Sequence, residues 1–80
     1  KPPLEVQQEA GRVQAREFRD DVGNVRILIA GIGPGESRAV ITTSAPMPLE
    51  SVYGNCTALG DNRYRFVGHD ISSDILTGEK

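Results

Sequence analysis

Few side chains in this sequence could do chemistry, and they are widely spaced. Cys56, His69 and Asp70 form the one combination of a nucleophile, a base and an orienting carboxylate. Such a set works only if the imidazole reaches the sulfur and favours the thiolate. His69, Asp70 and Asp74 offer one imidazole and two carboxylates, which could hold a metal ion if residues 70–75 coil so that Asp70 and Asp74 share a face. The plainer reading makes Cys56 a packed core residue and His69 a surface residue, with no catalytic residue, metal or cofactor. Arg63-Tyr64-Arg65-Phe66 alternates cations with rings. A nucleic-acid platform needs both on one face, but on a strand they point to opposite sides. Tyr64 and Phe66 then turn inward and Arg63 and Arg65 outward. Arg and Tyr are enriched at protein interfaces, so Arg63, Tyr64 and Arg65 are the candidate contacts, with Arg38 next.

Gly31-Ile32-Gly33-Pro34-Gly35-Glu36 follows an apolar run and imitates the start of a dinucleotide fingerprint. That fingerprint needs a third glycine, then a helix whose N–H groups face the pyrophosphate. Here the third position is Glu36, and the residues beyond it, Arg38–Ser44, read as a strand. A phosphate loop would need a Lys that is missing. A β-turn accounts for the glycines. Gly33-Pro34-Gly35-Glu36-Ser37 after an apolar strand resembles a turn found in many bacterial immunoglobulin-like modules, a likeness too short to assign a family.

The elements that must position these residues are mostly strands. Val25–Ile32 is the firmest, rich in β-branched residues and apolar at both alternating sets of positions, as a central strand buried on two faces would be. Asp20–Asn24 before it is a hairpin loop. Arg38–Ser44 is a strand ended by Pro46-Met47-Pro48. Ser51–Leu59 reads as one weaker strand, with Cys56 facing in. Gly60-Asp61-Asn62 turns it back into Arg63–Ile71, which sets Cys56 beside Phe66, and Gly68 suggests a bulge. Ile71 and Ile75, four apart, suggest a short terminal helical turn. Residues 4–19 read two ways. Val6, Ala10 and Val13 fit one helical face, interrupted by Gly11. Residues 12–19 alternate as a strand, leaving room for a short helical turn before Gly11. Pro2-Pro3 leads in, and residues 77–80 form a polar tail.

About five short strands with turns between them predict an all-β fold, a small sandwich or barrel, with α+β as the alternative if a short N-terminal helix forms. Eighty residues make one small domain. Leu, Ile, Val and Phe number twenty of the eighty and the net charge is −2, enough apolar content to fold. The core must be thin and has no disulfide to staple it, since there is one Cys. A partner protein or a second copy could complete the burial. The pI of ≈ 5.2 argues against nucleic acid as the main partner. The longest apolar run is far short of the ~20 residues that span a bilayer. A start at Lys1 rather than Met fits a processed exported, periplasmic or envelope-associated protein, or an excised domain. The expected function is a non-catalytic protein–protein interaction module, of an exported assembly or of inhibitor or immunity type. The alternatives are a small barrel binding single-stranded nucleic acid or oligosaccharide, and a Cys56 thiol enzyme or redox sensor.

Overall fold

The computed structural model describes residues 4–44 and 48–78. They form eight strands and no helix: β1 (Leu4–Ala10), β2 (Arg12–Arg19), β3 (Val25–Ile32), β4 (Glu36–Thr43), β5 (Leu49–Ser51), β6 (Cys56–Gly60), β7 (Arg63–His69) and β8 (Ser72–Gly78). Every pairing is antiparallel, in two four-stranded sheets of order β1-β4-β7-β6 and β2-β3-β8-β5. The fold is a small β-sandwich. No helix among the described residues is long and apolar enough to cross a membrane. Pro2-Pro3, Pro46-Met47 and the end of the tail, Glu79 and Lys80, lie outside the described residues.

Alternation builds the core. β3 turns Val25, Ile27 and Ile29 inward, and β7 turns Tyr64 and Phe66 to meet them. Val13, Ala39, Ile41, Leu49 and Leu76 complete the cluster, with Leu4, Val6, Ala15 and Cys56 packed around it. The Tyr64 hydroxyl accepts the N–H of Leu49 at 3.2 Å, tying β7 of one sheet to β5 of the other.

The strands outnumber the expected five because two stretches read as possible helical turns are extended and one expected strand is split in two. Residues 4–10 pair along β4 from Leu4↔Thr43 to Ala10↔Arg38, so the helical reading there is wrong. Helical spacing of Val6, Ala10 and Val13 loses to the chain's crossing from one sheet to the other at Gly11 (φ 62). A side chain on Gly11 would run into the Glu36 carbonyl oxygen. Gln8 then spans the corner, donating to the Val13 carbonyl at 2.8 Å and accepting the Val13 N–H at 3.0 Å. The terminal helical turn is also absent. Ile71 ends a turn, and β8 runs through Thr77 and Gly78, part of the expected tail. The expected strand over residues 51–59 is split between the two sheets, β5 in one and β6 in the other.

Gly68 is not a bulge. It pairs regularly with Ser37, and the irregularities fall at Gln8/Ala10 and Ala58/Gly60. Its smallness serves close packing instead. A Cβ there would collide with the Ser72 hydroxyl and lie 2.9 Å from Phe66 Cζ. At Gly31 a Cβ would meet Phe66 Cε2 at 2.9 Å and Ser37 Cβ at 3.0 Å. Glycine and serine thus bring the sheets together where three corners (Gly11, residues 33–35 and residues 70–71) carry the chain between them. β3 is buried on one face only, since no layer of described residues covers the other. Leu28 is 38% and Ile32 41% exposed.

Candidate interaction surfaces

The arginines singled out from the sequence gather on the outer face of the β1-β4-β7-β6 sheet. Arg63 stands opposite Thr42, Arg65 opposite Val40, and Arg38 opposite Val67. Glu9 on β1 accepts a two-pronged bond from Arg65, Nε to Oε1 and an NH2 to Oε2, each at 3.1 Å. Arg38 approaches the same carboxylate, Nε to Oε1 at 3.3 Å, and also bonds Glu36. The Arg65–Glu9 bridge passes over β4, which explains why outward-facing Val40 is only 6% exposed. The Arg65 hydrogen bond, with the charges of Arg65 and Arg38, holds the Glu9 carboxyl below its ordinary pKa against a partial desolvation. Exposed ion pairs of this kind add little stability. They do fix where two guanidinium groups stand. Arg63 is exposed and has no ion pair among the described residues.

Tyr64 lies beneath this face, at 7% exposure, with its hydroxyl committed to Leu49. Phe66 is fully buried. The cations and the rings therefore separate as strand periodicity requires.

Cys56, His69 and Asp70 do not meet. Cys56 points inward beside Phe66, and His69 pairs with Glu36 at the far end of β7. Asp70, at φ 58, accepts the Gly35 N–H at 3.0 Å and locks two corners together. The residue nearest Cys56 in chemistry is Asp74. Burial first, then the Asp74 carboxylate, pushes the thiol pKa far above its usual value, the reverse of what a nucleophilic thiolate needs. Among the described residues no three His, Cys, Asp or Glu side chains gather to hold a metal ion.

Asp74 is the polar centre that strand patterning does not reveal. Its side chain is fully buried on β8. It accepts the N–H of Tyr53 at 2.8 Å, of Asn55 at 2.9 Å and of Ile75 at 2.7 Å, together with the Ser51 hydroxyl. Ser51 Oγ in turn accepts from Gly54 N at 2.9 Å. This wheel of bonds curls residues 52–55 out of the ladder and breaks the expected long strand. Burial, the largest effect, would raise the Asp74 pKa; the Ser51 bond and the three N–H bonds together outweigh it and hold the carboxyl low. The signal available in the sequence was an Asp on the inward phase of an apolar strand. The other feature missed was the apolar outer face of the β2-β3-β8-β5 sheet, bearing Leu28, Ile32 and Ile75. Comparison with protein-family models, with curated proteins and with solved structures finds no match.

Proposed function

We propose that this chain is a non-catalytic protein–protein interaction module that meets an acidic protein surface through Arg38, Arg63 and Arg65. The observation that carries this reading is exposed Arg63, without an ion pair among the described residues, standing beside Arg38 and Arg65, whose guanidinium groups Glu9 holds in place while partly matching their charge. Arginine's planar fork suits carboxylate recognition, and prior ordering reduces what binding must spend in entropy. Tyr64 supports the strand from below and makes no contact itself.

The alternatives draw less support. Stacking of single-stranded bases needs exposed rings, and Tyr64 and Phe66 are inside. Thiol chemistry needs an activated sulfur, and burial together with the Asp74 carboxylate holds the half-buried Cys56 thiol protonated.

The test is capture from a lysate of the source organism at moderate salt, followed by direct titration of the captured protein. Arg63→Ala/Arg65→Ala should weaken binding by about tenfold or more, and added salt should weaken the wild-type complex. Equal affinity for the wild type and the double variant, within about twofold, removes this face as the contact.

A further inference from the structure

We propose that the chain forms a twofold dimer through the outer face of the β2-β3-β8-β5 sheet. The middle of that face is apolar. Leu28 stands opposite Ile75 and Ala30 opposite Ser73 across β3 and β8. Ile32 ends β3 and Ile71 immediately precedes β8, 41% and 89% exposed. Val52, 50% exposed, bonds the Ile75 carbonyl through its N–H and extends the strip toward β5.

The charges at the two rims select the occupant. β2 carries outward-facing Arg12 and Arg16, and β5 carries outward-facing Glu50; none of the three has an ion pair among the described residues. Arg26 between them is already matched by Asp20 at 2.9 Å. One rim therefore carries arginines and the other a carboxylate without ion pairs among the described residues, and the strip between them is apolar at Leu28, Ala30, Ile32 and Ile75, interrupted by Ser73, Thr77 and the paired Arg26. A second copy turned by 180° about an axis parallel to the strands lays each β2 over the other copy's β5. Arg16 then faces Glu50 twice. An axis running across the strands would set β2 over β2, arginine against arginine. Arg16 is level with Leu28, and Glu50 is level with Arg26 through Thr77. The offset is two residues, roughly 7 Å along the strand, within an arginine's reach. Four strands of this length present a face of roughly 500 Å², less than the ~800 Å² per partner of a standard interface. The dimer is accordingly weak and concentration-dependent. Arg38, Arg63 and Arg65 lie on the other sheet, so a monomeric chain would overturn this inference and leave the proposed acidic partner standing.

Sedimentation equilibrium over roughly 10 µM to 1 mM, the range that resolves weak association, tests it. The wild type should pass from monomer to dimer. Arg16→Glu and Glu50→Arg should each raise the dissociation constant about tenfold or more, and the double swap should restore it to within about threefold. Circular dichroism and thermal unfolding confirm that the variants fold. A variant-free check is dilution followed by NMR: amide shifts in residues 26–32 and 73–77 should change, and those in 63–67 should not. A wild type that stays monomeric at the top concentration overturns the dimer. So does a dimer indifferent to the single swaps, or a double swap no tighter than either single.

Discussion

Replacing Asp74 should be the most damaging single polar change in the molecule. Its carboxylate satisfies three backbone N–H groups and the Ser51 hydroxyl from a fully buried position. Hydrogen bonds to a charged acceptor contribute about 1.5–3 kcal/mol each. Val52 and Tyr53 are 50% and 62% exposed, so water can reach part of the loop once it opens, and the lower end of that range applies to its N–H groups. Removing a buried charge also returns some desolvation energy. For Asp74→Ala the balance is a loss of about 3–4 kcal/mol, against a total of about 4–12 kcal/mol for a domain of this size. In a thermal scan this is a fall of about 15–25 °C. Ser51→Ala, which removes one of the four bonds and also the acceptor of the Gly54 N–H, should cost about 2 kcal/mol. The pH dependence carries the same signature. The folded-state carboxyl is held below its unfolded value, so its contribution is complete above about pH 4 and is lost as pH falls through the folded pKa. Glu9 and Asp20 are also held low and destabilise the wild type in acid. Asp74→Ala retains those two, so the difference between wild type and variant should narrow as the pH drops from 5 to about 2. Urea unfolding followed by circular dichroism at several pH values measures it. A loss under about 1 kcal/mol at pH 7, or a difference that does not change with pH, would refute the reasoning.

The remaining expectations concern packing and the thiol. Gly68→Ala forces a methyl group into the Ser72 hydroxyl and against Phe66; it should cost about 1–3 kcal/mol by overpacking, and pairing it with Ser72→Gly should recover part of the loss in the same urea assay. Cys56 should react slowly with iodoacetamide in native protein at pH 8 and rapidly in denaturant, because burial and Asp74 keep the thiol protonated; fast native alkylation would return the thiol reading to consideration.

Much of the sandwich was legible because two-residue periodicity is a local property. Val25, Ile27 and Ile29 on β3, and Tyr64 and Phe66 on β7, face inward as their spacing predicts, and the hairpin setting Cys56 against Phe66 follows from the turn at residues 60–62. Other features depend on partners distant in the chain. The end of β5 is decided by a carboxylate 23 residues away, Asp74 on Ser51. The extended form of residues 4–10 is decided by β4, whose pairing outweighs a helical spacing of three small apolar residues. At Gly68 the residue type was informative, but its cause was the nearness of the facing sheet rather than a kink in its own strand.

The candidate surfaces divide along the same line. That Arg63 and Arg65 share an outward face follows from parity alone, and Arg38 joins them because β4 lies beside β7. Their convergence on Glu9 could not be read, since it needs β1 as the far neighbour of β4. The outer face of β3 was misread for an instructive reason. A strand apolar on both sides is the mark of burial on both sides, and Leu28 and Ile32 carry that mark while standing 38% and 41% exposed. The burial they encode has no source among the described residues of one copy. The proposed dimer would supply that burial as a second layer, with Arg16 on β2 of each copy facing Glu50 on β5 of the other.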